Sequence, residues 1–166
     1  MLYRINQFIL AVFPRINPSE KNWALGYLSP EAKELFLQQS LPEQRHAINV
    51  AKSILETNPP ISLEDLQNLI TAALLHDCGK SLVSIRLWQR VYIVLMQKTP
   101  QSLRSRLEKG RSVFAFSLRI DVQHALWGES LAKKAGLNSA VCLLIREHHT
   151  PSTYLGRILE QADNMH

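Results

Sequence analysis

Signals that begin and end α-helices recur along the whole sequence, and no segment alternates β-branched and polar residues for long enough to predict a β-strand. Apolar residues instead return at intervals of three and four, which is the spacing of one helix face. Capping residues and prolines separate these stretches: Ser29-Pro30 begins one helix, and Ser62 with Asp65 begins another. The sequence therefore predicts an all-α protein, folded as a helical bundle.

The same signals predict where the individual helices lie. Asp121 is the predicted cap of the helix that carries His124, and Gly79 is the predicted stop of the helix that ends at His76-Asp77. The predicted helices cover about residues 2–12, 23–28, 30–37, 42–55, 62–77, 82–96, 103–109, 121–136, 138–149 and 151–163.

Length and composition are those of one globular domain. The chain has 166 residues, of which 46% are hydrophobic and 20% are charged. No repeat or low-complexity linker divides it. We therefore predict a single domain over residues 1–166: functional-site helices in about residues 42–166, N-terminal helices of residues 1–40 packed on them, and a basic amphipathic insertion at about residues 81–119.

The two cysteines, Cys78 and Cys142, lie inside apolar segments and form no CxxC array. The N-terminal apolar run is not followed by a small-residue cleavage site. The longest apolar stretches are interrupted by Arg86, Arg90 or Lys98, so they are too short to span a bilayer. We expect reduced thiols and a cytoplasmic protein.

Basic residues are concentrated between residues 80 and 119, where Glu108 is the only acid. Such a block attracts phosphates, nucleic acid or an anionic membrane, although a solvated helix face explains it equally well. No motif predicts sequence-specific binding to nucleic acid. The basic residues are Lys80, Arg86, Arg90, Lys98, Arg104, Arg106, Lys109, Arg111 and Arg119.

An apolar stripe runs through the first helix of this insertion. Helical spacing of aromatic and aliphatic residues favours packing in the core or at the face of a homodimer. Contact with a membrane surface is the alternative, because basic residues flank the stripe. Its members are Leu82, Ile85, Trp88, Val91, Tyr92 and Leu95.

Histidines and aspartates at the ends and inner faces of several predicted helices form a candidate metal site. Asp77 and Asp163 both follow apolar runs, where an unpaired carboxylate is costly to bury. Imidazole nitrogen and carboxylate oxygen are good ligands for divalent metals, so one or two ions would satisfy the whole set. The set comprises His46, His76, Asp77, His124, His148, His149 and Asp163.

The order and context of these residues resemble the HD-domain superfamily of metal-dependent phosphohydrolases, from about Gln44 to Asp163. The segment LLHDCGK at residues 74–80 is similar to the family's signature, and IREHH at residues 145–149 is similar to its late histidine region. The pattern is closest to the compact members that cleave dinucleoside polyphosphates. The resemblance implies a helical bundle of the HD type.

The resemblance also implies roles for individual residues. Asp77 would bridge two ions, and His149 would lie behind the ligands or contact substrate. A set of more than four nitrogen and oxygen ligands favours Fe, Mn, Ni or Mg over tetrahedral Zn. The implied ligands are His46, His76, Asp77 and Asp163 for the first ion, completed by His124 and His148 for the second.

The implied reaction is hydrolysis of a phosphate ester or anhydride in a nucleotide-like small molecule by a metal-activated water. Asp77 and Lys80 are the candidate catalytic residues, and Lys80, Arg146 and His149 are the candidate substrate contacts. Lys80 is equally well interpreted as a solvated residue after a helix stop. Glu129 and Glu147 are candidate proton-transfer groups, although such glutamates are usually ordinary surface residues.

Two other functions remain open at this point. Di-iron oxygenases that resemble the same superfamily use a similar ligand set, and uptake of oxygen by the iron-loaded protein would identify one. A non-catalytic signalling or scaffold module is the third hypothesis, and it predicts protein purified without bound metal.

Overall fold

Nine α-helices and one 3₁₀ helix make up the regular structure in a computed structural model that describes residues 15–83, 87–97 and 99–166. No β-strand occurs in these residues, so the all-α prediction is confirmed. The α-helices are α1 (Pro18–Gly26), α2 (Pro30–Gln38), α3 (Leu41–Thr57), α4 (Leu63–Leu75), α5 (Leu87–Gln97), α6 (Gln101–Glu108), α7 (Val113–Lys134), α8 (Ser139–Glu147) and α9 (Tyr154–Asp163), and the 3₁₀ helix is Cys78–Leu82.

Three predicted helix starts are capped as expected. The Ser62 hydroxyl accepts the main-chain N–H of Asp65 at 3.0 Å, and the Asn138 side chain accepts that of Val141 at 2.9 Å. Ser29 caps α2 in the same way. Each cap satisfies an N–H that the first helical turn leaves without a partner.

Helix α7 begins earlier than the sequence predicts. Its cap is Ser112, and Asp121 lies in the middle of the helix, so the prediction that Asp121 caps it is wrong. The apolar pattern hid this first part of α7 because Phe114 and Phe116 there are both exposed. Asp121 is buried and its carboxylate accepts a hydrogen bond from Arg104 Nη2 at 2.6 Å.

The last helix begins three residues later than predicted, and two predicted helices lie wholly or partly outside the described residues. Helix α9 begins at Tyr154, after a Thr153 cap that accepts the N–H of Gly156 at 2.9 Å. The predicted helix at residues 2–12 lies outside the described residues, as do residues 84–86, in the first part of the predicted helix 82–96. None of the described helices combines the length and apolar content needed to cross a lipid bilayer.

Helix α4 is the centre of the hydrophobic core. All of its residues from Asn68 to Leu75 are buried, and α3, α8 and α9 contact it. Ala24 of α1 and Phe36 of α2 belong to the same buried cluster. Burial of each large aliphatic side chain stabilises the fold by roughly 1.5–3 kcal/mol. The core thus fixes the helix ends that carry His76 and its neighbours.

Gly79 packs the 3₁₀ helix against α7. A Cβ atom at Gly79 would lie 2.0 Å from the carbonyl oxygen of His124 and 2.6 Å from the amide nitrogen of Gly128. The prediction that Gly79 stops a helix is wrong, because α4 already ends at Leu75. Gly79 is needed because the two backbones approach too closely for any side chain.

Charged groups join α1 to α3 at the surface. Glu20 of α1 accepts hydrogen bonds from Arg45 and from Lys52, the latter at 2.6 Å. Arg45 also donates to the carbonyl oxygen of Arg15 at 2.6 Å. Hydrogen bonds from Arg45 and then from Lys52 hold the pKa of Glu20 well below its usual range, although partial burial acts in the opposite direction.

Gly79→Ala should destabilise the protein by about 3 kcal/mol or more, because the atoms that its Cβ would meet belong to a helix backbone and cannot rotate away. Urea unfolding measures the change. Gly26→Ala is the matched control, since no atom lies within 4 Å of a Cβ there. Equal stability of the two variants would contradict the described contact with α7.

Glu20→Gln should lower the free energy of unfolding by about 1 kcal/mol at pH 7, because the two ion pairs of this partly exposed carboxylate, with Arg45 and Lys52, are lost. The folded-state pKa of Glu20 is depressed, so this stability is present above about pH 4.5 and is lost as the pH falls further. Unfolding at pH 7 and pH 3.5 tests the sign. Glu34→Gln, on the exposed side of α2, should show neither effect.

Candidate metal centre

Five elements bring the candidate ligands together. His46 lies in the second turn of α3, and His76-Asp77 follow the last residue of α4. His124 lies in the middle of α7. The remaining candidates come from helix ends: His148 and His149 directly follow α8, and Asp163 is the last residue of α9.

Main-chain carbonyls orient three of the histidine rings. In each ring Nδ1 lies within hydrogen-bonding distance of a carbonyl oxygen three or four residues earlier, and only a protonated Nδ1 can donate to it. In the neutral ring this leaves the Nε2 lone pair free to bind a metal. The three bonds are His76 to Ala73 at 2.8 Å, His124 to Ile120 at 3.0 Å, and His148 to Ile145 at 2.7 Å.

One group of candidate ligands consists of His124, His148 and His149. The Nε2 atom of His124 lies 3.2 Å from Nε2 of His148 and 3.2 Å from Nε2 of His149. The bonds to the carbonyls place the lone pairs of His124 and His148 face to face in a fully buried position. Two such lone pairs repel unless a proton or a cation lies between them.

Burial favours the neutral form of two of these rings, His148 and His149. Loss of solvent, reinforced by the neighbouring charges of His76 and His149, holds the pKa of His148 well below its ordinary value. Burial and then His124 likewise lower the pKa of His149. Neutral imidazole is the form that binds a metal, so these rings need lose no proton on binding at neutral pH.

The second group consists of His46, His76, Asp77 and Asp163. Asp163 Oδ1 lies 2.7 Å from His46 Nε2 and 3.5 Å from His76 Nε2. His76 Nε2 is buried and makes no hydrogen bond within the described structure. Because an unpaired buried nitrogen is costly, this atom is a direct indication of a missing partner.

The two groups meet at Asp77. Its Oδ1 lies 3.2 Å from Nε2 of His124, and its Oδ2 lies 3.7 Å from Nε2 of His76. Oδ2 also accepts a hydrogen bond from Lys80 Nζ at 2.8 Å. One carboxylate therefore faces both histidine groups, as a bridging ligand would.

Both aspartates are ionised in this environment. Burial alone would raise the pKa of Asp77, but the charges of Lys80 and His76 outweigh burial and hold the pKa well below its usual range. Burial also opposes ionisation of Asp163, whose pKa is nevertheless lowered by the hydrogen bond with His46 and by the nearby His76 ring. Two anionic carboxylates so close together attract a cation.

The electrostatic environment of His76 also favours a positive charge. Burial acts to lower the pKa of His76, yet the negative charges of Asp77 and Asp163 raise it above its ordinary value. A position that stabilises a proton on Nε2 also stabilises a metal ion there. The orphaned Nε2 atom, the facing lone pairs and the carboxylates thus suit a divalent ion.

The neighbouring thiol is not part of this set. Burial, and then the charge of Asp77, raises the pKa of Cys78 to about 12, so the side chain stays protonated. Its Sγ lies 3.8 Å from the carbonyl oxygen of Gly128, and both Cys78 and Cys142 are free. Nitrogen and oxygen are therefore the ligand atoms that this centre offers.

Lys80 and His149 lie at the accessible side of the centre. Lys80 is partly exposed, and its pKa is raised because the charge of Asp77 outweighs burial. His149 is exposed at one edge, yet its Nε2 lies with those of His124 and His148. The resemblance implies His148, and not His149, as the ligand, whereas the structure groups both with His124.

Arg146 is exposed on the surface of α8. Its guanidinium is exposed, and Nη1 lies 3.7 Å from Glu129 Oε1. Glu129 in turn pairs with Lys133 at 2.7 Å. These contacts do not support a substrate contact by Arg146 or proton transfer by Glu129.

Glu147 has a structural role that the sequence did not reveal. Its carboxylate accepts the N–H and hydroxyl of Ser152 and those of Thr153, with the Ser152 N–H at 2.9 Å. These bonds brace the loop between α8 and α9 and occupy both oxygens. The arrangement gives no support to proton transfer by Glu147.

Helix α7 carries a polar stripe that was not predicted from the sequence. Ser117, Asp121 and His124 follow at intervals of four and three residues, so they share one helix face. Ser117 accepts a hydrogen bond from Gln89 of α5 at 3.1 Å, and Asp121 accepts the bond from Arg104 of α6. This spacing of polar residues is visible in the sequence and would have predicted a shared helix face. These bonds attach the insertion to the helix that carries His124.

A family comparison agrees with this geometry. The model of the HD domain matches residues 44–166, which include every candidate ligand. Comparisons with curated proteins and with solved structures give no match. Members of the matched family generally bind divalent metals and act as hydrolases. The extent of the match, together with the converged histidines and aspartates, shows that this chain belongs to the HD domain family.

Proposed function

We propose that the protein is a phosphohydrolase that uses one or two divalent metal ions to cleave an ester or anhydride bond in a nucleotide-like small molecule. The observation that carries the proposal is the position of Asp77, which faces two histidine groups and binds Lys80. A second anionic group, the substrate phosphate, would be held by the same positive charges. A protein that only supports other proteins needs no such arrangement.

One group of side chains would hold the first ion and the other group the second, and Asp77 belongs to both groups. Bound divalent ions would supply Lewis acidity toward a water molecule and a phosphoryl oxygen. Because the ligand atoms are nitrogen and oxygen, we favour Fe, Mn, Ni or Mg over Zn. The proposed ligands are His46, His76, Asp77 and Asp163 in one group, and Asp77, His124, His148 and the newly grouped His149 in the other.

Lys80 is the proposed phosphate contact. Its Nζ lies 2.8 Å from Asp77 Oδ2 and the side chain is 24% exposed, so the ammonium lies between the buried carboxylate and solvent. The pair with Asp77 keeps the ammonium protonated and in place. Lys80 can donate to Asp77 with one N–H and to a phosphate oxygen with another, since an ammonium has three.

The insertion adds positive charge to the proposed substrate side. Arg104 binds Asp121 one turn before His124, and a single hydrogen bond to Asp121 uses only part of its five N–H donors. Basic groups near a site raise the local concentration of phosphorylated substrates. This supports a nucleotide-like substrate, with Lys80 as the contact nearest to the ligands.

Metal binding should stabilise the wild-type protein. Mn²⁺ at about 100 times its dissociation constant should add about 2.7 kcal/mol to the free energy of unfolding, or roughly 5–10 °C in Tm. Asp77→Asn should lose most of this shift, because the shared anionic ligand is removed while side-chain volume is kept. Thermal unfolding with Mn²⁺ and with chelator measures it, and Glu64→Gln, at an exposed position in the first turn of α4, is the control. An undiminished shift in Asp77→Asn would disprove the shared site.

Lys80→Met should reduce kcat/KM for phosphate release by about 10²–10³, because one positive charge at the phosphoryl group is lost. The assay uses Mn- or Fe-loaded protein and a panel of mononucleotides and dinucleoside polyphosphates. Metal content should not change. Lys133→Met, on the exposed surface, should retain full activity.

Assays of the same metal-loaded protein distinguish the hydrolase from the oxygenase. Phosphate or nucleotide release that Asp77→Asn abolishes supports the hydrolase. Consumption of oxygen by the iron-loaded protein without hydrolysis would replace it with an oxygenase. Bound metal with no activity across the panel would contradict the proposed substrate class.

A further inference from the structure

Helix α5 packs on α7, but several of its described apolar side chains stay exposed. Toward α7, its buried Gln89 bonds to Ser117. On another side Trp88, Val91 and Leu95 are 42%, 37% and 61% exposed. Their spacing of three and four residues places them on one helix face. The stripe was predicted to pack in the core or at the face of a homodimer, and for these three side chains the core alternative is therefore wrong.

The first turn of α7 extends this exposed surface. The ring of Phe114 lies 5.5 Å from that of Trp88 and 5.0 Å from that of Tyr92, measured between centroids. Phe114 is itself 52% exposed. We name the surface formed by Trp88, Val91, Tyr92, Leu95 and Phe114 the α5 face. Contiguous apolar surface of this kind on a soluble domain indicates an interaction site.

Positive charge accompanies the α5 face along the chain. Arg106, Lys109 and Arg111 are exposed in α6 and in the turn that leads into α7. Arg111 is three residues before Phe114, so the two Cα atoms are at most about 11 Å apart. Aromatic and aliphatic side chains beside basic residues match an anionic lipid surface, which offers both an apolar layer and negative charge.

We propose that the α5 face docks on an anionic membrane surface as a peripheral contact. A second copy of the chain is the weaker candidate, because two-fold pairing sets the same face against itself and brings like charges together. Nucleic acid would satisfy the basic residues but would leave Val91 and Leu95 in water. A lipid surface satisfies both features. This inference does not depend on the proposed hydrolase activity.

Docking would also hold the metal centre near the membrane. Phe114 and His124 belong to the same helix and are ten residues apart, or about 15 Å along its axis. The centre would therefore lie within a short distance of the lipid headgroups. Substrates that are enriched at such a surface would reach it readily.

Flotation of the full-length protein with vesicles tests the proposal. Vesicles of 70% phosphatidylcholine and 30% phosphatidylglycerol should carry the protein upward, and pure phosphatidylcholine should carry much less. Raising NaCl from about 0.1 M to 0.5 M should weaken binding, because screening shortens the electrostatic attraction. Arg111→Glu should weaken binding at least roughly fivefold, since each basic residue near the surface contributes about this factor.

Leu95→Glu should abolish flotation, and Leu63→Glu is the matched control at an exposed leucine of α4. Circular dichroism establishes that each variant is folded. Failure of the wild type to float, or equal flotation of Leu95→Glu and wild type, would overturn the proposal. So would a dimer that Leu95→Glu dissociates, or RNA binding without vesicle binding, since each would assign the α5 face to another partner.

Discussion

The centre depends on the contacts that the buried carboxylate of Asp77 makes on both of its sides. It is buried, it is ionised, and its two oxygens face His124 on one side and His76 with Lys80 on the other. A buried anion is tolerated only where positive charge or hydrogen-bond donors surround it. Lys80 supplies part of that compensation, and the arrangement of imidazole nitrogens leaves the remainder to a cation.

Helix geometry explains how distant parts of the chain supply these ligands. The carbonyls near the ends of α4 and α8 bind Nδ1 of His76 and His148, so each helix end turns one Nε2 atom inward. Gly79 then lets the 3₁₀ helix lie against α7, and Asp77 Oδ1 comes to lie 3.2 Å from His124 Nε2. The packing of α4 in the core therefore determines where the candidate ligand atoms lie. A change that shifts α4 would also shift these atoms.

The sequence was sufficient for features that local chemistry or residue order controls. Caps such as Ser62 and Asn138 depend on neighbours three residues away, and the ordered histidines and aspartates indicated the family. It was insufficient where a residue's role depends on a distant helix. Asp121 has the local chemistry of a cap but binds Arg104, and Glu147 resembles a surface glutamate but braces the following loop.

Helix α7 connects the insertion to the centre. It carries Phe114 of the α5 face, then Ser117 and Asp121, which hold α5 and α6 by hydrogen bonds, and then His124. Because one continuous helix bears all four, the insertion cannot swing away as an independent lid without breaking these buried polar bonds. Each such loss would leave a buried donor or acceptor unpaired, at a cost of about 1–3 kcal/mol. Helices α5 and α6 are therefore best understood as fixed supports of the helix that carries His124.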